Sequence, residues 1–70
     1  MKEGTVKWFD GEKGYGFISP KSGEKDVFLH VSDLHDSGYM EIEQGDLVEF
    51  ETETTSKGTR AVNITIFDFV

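Results

Sequence analysis

Flat side chains recur at every second position in two short stretches of the sequence, residues 13–18 and 27–31. Successive residues of an extended strand point to opposite sides, so Tyr15 and Phe17 would share one face. Phe28 and His30 would likewise share one face of a second strand. Rings left in water lose the free energy of burial, so a row of them implies a partner that is itself flat. Unpaired nucleic-acid bases are such a partner, and base stacking is the chemistry that this pattern predicts.

Two further large rings, Trp8 and Phe9, are adjacent in the sequence, and strict alternation cannot place both on one face. Alternation alone leaves Trp8 beside Val6 on the inward face, whereas a β-bulge or a strong twist would turn it outward. The indole offers the largest stacking area, so Trp8 is the better candidate for binding, and Phe9 is divided about evenly between core and surface. Lys7 and Lys13 flank the rings and could reach phosphates, although a solvated lysine is the simpler explanation.

Other residues capable of chemistry give weaker patterns. His30 could stack on a base, bond to its edge or, when protonated, add a charge, and an ordinary surface histidine is the competing interpretation. Metal binding by the histidines and aspartates of residues 30–36 is disfavoured, because one turn cannot converge four ligands. Gly14 and Gly16 lead into a strand, unlike a phosphate-binding loop, and are better explained as thinning a curved sheet. No nucleophilic triad is present, so we expect no enzyme, cofactor or metal site.

The formal net charge of −7 argues against a polyanionic partner unless the charge is unevenly distributed. Residues 1–31 carry five lysines and five acidic residues, whereas residues 32–70 carry two basic and nine acidic residues. Most of the rings and lysines therefore share the neutral part of the chain. We expect weak attraction to the phosphate backbone, with stacking supplying most of the affinity.

A chain of 70 residues without cysteine predicts a single domain, residues 1–70, with no disulfide, no thiolate metal site and no deep catalytic cleft. The start of the sequence lacks the apolar stretch of a signal peptide, and no run is long enough to span a membrane. These observations predict a cytoplasmic protein without a membrane partner.

Turn-forming residues separate five stretches rich in β-branched and aromatic residues, near residues 2–10, 15–19, 26–31, 46–54 and 60–67. This spacing predicts an all-β sandwich or barrel, and closure into a barrel would remove unpaired strand edges. The best helical candidate, residues 31–34, is one turn at most, of the tighter three-residue kind. The predicted inward residues are Val6, Ile18, Val27, Leu29, Val31, Ile42, Val48, Phe50, Val62 and Ile64.

Residues 7–9 (Lys-Trp-Phe), 13–18 (Lys-Gly-Tyr-Gly-Phe-Ile) and 27–31 (Val-Phe-Leu-His-Val) together closely resemble the bacterial cold-shock protein family. The resemblance covers roughly residues 3–66. It implies an all-β, five-stranded antiparallel oligonucleotide-binding (OB) barrel that binds single-stranded RNA and DNA, with a preference for pyrimidine-rich stretches. It further implies an RNA chaperone that destabilises RNA secondary structure in stress, with a possible role in regulating transcription or translation. Trp8 then faces the ligand despite the alternation.

Four positions depart from the family pattern. Asp10 replaces the usual asparagine, which exchanges an amide donor for a carboxylate that repels phosphate. Val31 stands where an aromatic is common, whereas Tyr15 replaces phenylalanine and preserves stacking. Thr59 occupies a place often held by proline, which loosens the loop before the last strand. Carried over by position, the binding surface of the family falls on Lys7, Trp8, Phe9, Lys13, Tyr15, Phe17, Phe28, His30 and Tyr39, with Lys57 and Gly58 at its edge.

The ending, residues 67–70, is more apolar than is typical of the family and could extend the last strand, cover the barrel or pair two chains. We expect a monomer, and this apolar tail makes a dimer the alternative.

A protein-interaction module that uses the same rings is the first rival to nucleic-acid binding. An enzyme or saccharide binder on the same barrel is the second, since a fold does not fix function. Stacking ignores the 2′-hydroxyl, so the sequence does not choose between RNA and DNA.

Overall fold

The computed structural model describes residues 1–67, which form five strands and one short helix. The helix, α1 (Val31–Asp36), corrects the prediction for residues 31–34, because it is an α-helix of six residues rather than one tighter turn. No helix in the described part of the chain is long and apolar enough to cross a bilayer. The strands are β1 (Lys2–Asp10), β2 (Tyr15–Pro20), β3 (Val27–His30), β4 (Leu47–Thr55) and β5 (Gly58–Ile66).

The strands close into a barrel in the order β1, β2, β3, β5, β4, and β4 pairs again with β1. The pairing of β3 with β5 is parallel and places Phe28 opposite Arg60, whereas the other neighbouring strands pair antiparallel. The predicted five-stranded OB barrel is therefore confirmed, and the structure adds one parallel junction to the antiparallel sheet that we expected.

A β-bulge in β1 turns Trp8 away from the core. The register passes from Val6 opposite Ile18 to Trp8 opposite Phe17, so Lys7 is the extra residue. An extra residue breaks the alternation of side chains, and Val6 is consequently buried while Trp8 is exposed. The structure therefore contains the β-bulge on which an outward-facing Trp8 depends.

Two residues of the predicted core are not buried, and two other residues are buried instead. Val31 and Val62 are only partly buried, and Leu34 and Ala61 are buried in addition to the other predicted residues. Val31 begins α1, so strand alternation does not apply to it. In β5 the cause is Asn63, whose φ of 50° coincides with a shift in the β4–β5 register and brings Ala61 rather than Val62 inward. The buried core is Val6, Ile18, Val27, Leu29, Leu34, Ile42, Val48, Phe50, Ala61 and Ile64.

Hydroxyl groups join the segment after β3 to strand β5. Ser37 Oγ accepts a hydrogen bond from the Ile64 backbone N–H at 2.9 Å, and the Tyr39 hydroxyl accepts one from the Ile66 N–H at 3.1 Å. Strand β3 has only four residues, and it pairs with β5 at Arg60. Arg60 precedes Ile64 and Ile66 in β5, so β3 ends before it reaches them. The two hydroxyls thus satisfy backbone donors that β3 is too short to reach.

A partly buried ion pair also joins α1 to β5. Asp33 is 4% exposed, and its carboxylate meets the guanidinium of Arg60 at two points. Arg60 Nε donates to Oδ2 at 2.7 Å, and Nη2 donates to Oδ1 at 2.8 Å. This hydrogen bonding, together with the charge of Asp33, raises the pKa of Arg60. The pair lies beside the parallel junction of the barrel, where Arg60 is opposite Phe28.

Candidate nucleic-acid interface

Five rings form a continuous surface across β1, β2 and the end of β3, which we call the ring patch. The ring centroid of Trp8 lies 5.4 Å from that of Tyr15 and 5.5 Å from that of Phe17. Phe28 lies 5.8 Å from Tyr15 and 5.7 Å from Phe17. The patch ends at His30, 6.0 Å from Phe28. The predicted row of aromatic residues is thus a single contact network.

Strand pairing explains why these rings meet. Phe17 lies opposite Phe28 and Tyr15 lies opposite His30 in the antiparallel register of β2 and β3. The residues between them on both strands point inward and are buried. Trp8 and His30 are exposed, and the other three rings are half-buried. None of the five belongs to the core cluster, so the outer surface of the patch is available for contact.

His30 has a second role as the N-cap of α1. Its Nδ1 accepts a hydrogen bond from the Ser32 backbone N–H at 3.1 Å, and Ser32 Oγ lies 2.9 Å away. A ring nitrogen that accepts from an N–H carries no proton, so the proton of the neutral ring is on Nε2. His30 therefore combines an acceptor used within the protein with a donor and a flat face that a nucleotide can use.

Two substitutions of His30 should separate these roles. His30→Ala should lower the free energy of unfolding by about 1 kcal/mol through loss of the cap, whereas His30→Asn should keep most of it, because asparagine is a good N-cap. Both variants lose the ring and should bind oligonucleotides more weakly. Urea denaturation and fluorescence titration measure the two effects. Equal stability of the two variants would show that the cap contributes nothing.

Lys7 and Lys13 lie in different surroundings: Lys7 has an ion pair, and Lys13 lies in the β1–β2 turn. Lys7, at the bulge, is exposed, and its Nζ lies 2.8 Å from the Asp26 carboxylate. The backbone N–H groups of Glu12 and Lys13 donate to Asp10 Oδ1 at 2.9 and 3.1 Å, and Lys13 is exposed. Asp10 thus organises the β1–β2 turn, a use for its carboxylate that we did not derive from the sequence.

The remaining predicted site residues divide into two groups. Lys57 and Gly58 lie at the β4–β5 turn and line a cleft that also touches the Phe17 and Phe28 edge of the ring patch. Phe9 and Tyr39 are partly buried against the core. Among residues 1–67, no ring contact connects either of these two to the patch. The structure therefore brings eight of the eleven predicted residues to the patch or its margins, places Lys13 in the turn before Tyr15, and sets Phe9 and Tyr39 apart from the patch.

Sequence reasoning missed three charged residues that line the same cleft, Lys25, Asp26 and Arg60. The signal that could have identified two of them is position, because Lys25 and Asp26 immediately precede the aromatic strand β3. Arg60 gave no such signal, because its partner Asp33 is distant in the sequence. No group of three or more histidines and acids in the described residues could hold a metal ion.

Comparison with known proteins agrees with this geometry. The family model of the 'Cold-shock' DNA-binding domain matches residues 2–67. The major cold shock protein of Micrococcus luteus is 51% identical over 65 residues, which cover 93% of this chain and 97% of that protein. Cold shock protein CspA of Staphylococcus aureus is 50% identical over 64 residues, which cover 91% of this chain and 96% of that protein. The chain therefore belongs to the family of nucleic-acid-binding cold-shock proteins.

Proposed function

We propose that this protein binds single-stranded RNA and DNA by stacking unpaired bases on the ring patch, and that it acts as an RNA chaperone. The observation that carries the proposal is the position of five contiguous rings outside the core of a closed barrel. A duplex hides the faces of its bases, whereas an unpaired strand presents them to such a surface. The partner is therefore the single-stranded form.

Stacking alone accounts for useful affinity. Each ring that receives a base contributes about 1 to 3 kcal/mol, so three or four occupied rings contribute about 3 to 12 kcal/mol, and a dissociation constant of about 1 μM requires about 8 kcal/mol of this. Binding of unpaired bases competes with base pairing, so weak RNA hairpins open without an energy source. Release must be fast enough for the strand to pair again, and moderate affinity favours fast release.

The sequence range and the conditions of binding follow from the same surface. Pyrimidine-rich strands stack weakly on themselves and are flexible, so they should reach the rings with least cost. Because the chain carries a net charge of −7, we expect only two or three phosphate contacts, each contributing about 0.7 to the slope of log affinity against log salt concentration. We propose a monomer acting in the cytoplasm. The tail considered for dimerisation lies, except for Phe67, outside the described residues.

A fluorescence titration tests the proposal. Oligothymidine should quench the emission of Trp8 at low salt, and Phe17→Ala should weaken binding by about 5-fold to 100-fold, because one stacking ring is lost. Leu47→Ala is the matched control, because Leu47 is an exposed apolar residue of β4 outside the ring patch. Its affinity should equal that of the wild type.

The same measurement distinguishes the rival function. Unquenched Trp8 emission with thymine, cytosine and adenine oligomers, combined with a dimer or a protein complex seen by light scattering, would favour a protein-interaction module. Wild-type affinity in the Phe17→Ala variant would contradict the assignment of the ring patch as the binding surface.

A further inference from the structure

A cleft of about 640 Å³ continues the ring patch toward the β4–β5 turn. Its lining includes the rings of Phe17 and Phe28 and also residues 55–60, of which Arg60 pairs with Phe28 on the neighbouring strand. A strand whose bases stack on these two rings can therefore enter the cleft without leaving the protein surface. The charges that line the cleft determine which part of a nucleotide it would hold.

The charges of the cleft are unlike those of the chain as a whole. The chain has seven basic residues against fourteen acidic ones, yet three of the seven line this cleft: Lys25, Lys57 and Arg60. The one carboxylate in the lining, Asp26, already contacts Lys7 at 2.8 Å. The lining itself therefore carries more positive than negative charge, and the acids that act on Arg60, namely Asp33, Glu53 and Asp36, lie outside the lining.

Arg60 differs from the two lysines in being fixed before any ligand arrives. The two-point contact with Asp33 uses Nε–H and one N–H of Nη2, and a guanidinium has five N–H donors in a rigid plane. The Arg60 side chain remains 40% exposed, whereas that of Asp33 is 5% exposed. A ligand in the cleft thus has access to the arginine but not to the carboxylate that holds it.

Such an arrangement suits a phosphate. Arginine binds phosphate oxygens through two parallel N–H groups, and a side chain already ordered by the protein loses less entropy on binding. Glu53 lies opposite Arg60 on β4 and attracts it, but this glutamate is not part of the cleft lining. The fixed guanidinium is therefore the cleft group best prepared to contact the backbone of a strand.

We propose that this cleft binds a phosphodiester group of the strand whose bases stack on Phe17 and Phe28. Arg60 is the principal phosphate ligand, Lys57 and Lys25 add charge, and Asp33 is a positioning residue that orients Arg60. This inference rests on the proposed single-strand binding. It adds a fixed contact with the strand backbone through Arg60 and Asp33, neither of which belongs to the ring patch.

The first test removes the pair as a unit, because Arg60 alone cannot be removed without leaving a buried carboxylate unpaired. The Asp33→Ala/Arg60→Gln variant should still quench Trp8 on saturation with oligothymidine. Its affinity should fall about tenfold, the effect of one charge-assisted hydrogen-bonded contact. The slope of log affinity against log salt should fall by about 0.7. Lys21→Gln is the control, because Lys21 pairs with Glu3 and does not line the cleft, so its slope should be unchanged.

A second variant tests the positioning role of Asp33. Asp33→Asn removes a negative charge, so affinity should rise if Asp33 merely neutralises Arg60. The amide cannot accept from both Arg60 nitrogens, so affinity should fall if Asp33 holds the guanidinium in place. We expect a fall, with Trp8 quenching at saturation retained. A rise in affinity would overturn the positioning role.

Neutral backbone linkages identify the chemical group. Methylphosphonate, which lacks the charge, is placed at each linkage of an oligothymidine in turn. The wild type should lose affinity at one linkage at which the Asp33→Ala/Arg60→Gln variant shows no loss. If the wild type binds and quenches but the two proteins respond identically at every linkage, the phosphate site is wrong and the stacking function stands. If the wild type does not bind at all, both proposals fail.

Discussion

Gly16→Ala should destabilise the barrel by about 3 kcal/mol or more, enough to unfold much of a domain of this size at room temperature. A Cβ at Gly16 would overlap the backbone oxygen of Trp8 and would lie 2.7 Å from Cα of Phe9. Both obstacles are main-chain atoms, so no rotation of a side chain can relieve the overlap. Strand β1 would have to move away from β2 at the place where its bulge turns Trp8 outward.

Urea denaturation followed by Trp8 fluorescence or circular dichroism measures the loss. Gly11→Ala is the matched control, because a Cβ at Gly11 meets nothing within 4 Å. That variant should be as stable as the wild type. Equal stability of the two alanine variants would mean that β1 and β2 tolerate a wider separation than the contact at Gly16 indicates.

Arg60→Ala should lower the free energy of unfolding, because the carboxylate of Asp33 loses both of its hydrogen bonds from the guanidinium. Asp33 is 4% exposed, and water that enters the space left by the 40% exposed Arg60 side chain should replace only part of the lost interaction. A domain of 70 residues has only a few kcal/mol of stability in total, so the loss should appear as a clearly lower midpoint of thermal unfolding.

The Asp33→Ala/Arg60→Gln variant distinguishes an unpaired charge from lost contacts. It removes both charges and should recover most of the stability, because no ion remains buried. Thermal unfolding of the three proteins supplies the comparison. A double variant as unstable as Arg60→Ala would show that packing around the pair, rather than the unpaired carboxylate, causes the loss.

Local periodicity explains why much of the fold was predictable from the sequence. Tyr15, Phe17 and Phe28 share a face because strands β2 and β3 are regular, and a regular strand alternates. Strand β5 is irregular at Asn63, and there alternation predicted Val62 inside where the structure buries Ala61. Trp8 faces outward because of the β-bulge, which no residue propensity predicts. Only the resemblance to the cold-shock family indicated that the Trp8 side chain faces the ligand.

Long-range partners explain most of what the sequence did not show. Asp33 and Arg60 are 27 positions apart, so neither residue type signals the pair before the barrel closes. Tyr39 matched a binding position of the family, yet its ring packs on the core and its hydroxyl bonds to the Ile66 N–H. A residue with an apolar body and a polar tip suits either role, and contact of Tyr39 with a ligand stays a prediction.

The hydroxyls of Ser37 and Tyr39 have a consequence for behaviour at high concentration. A strand with unbonded N–H groups is a template on which a second chain can add and begin fibrous aggregation. These two side chains occupy the N–H groups of Ile64 and Ile66 at the position where β5 extends beyond β3. Protection against intermolecular strand addition is therefore built into the connection between α1 and β4, separately from the surface that meets the ligand.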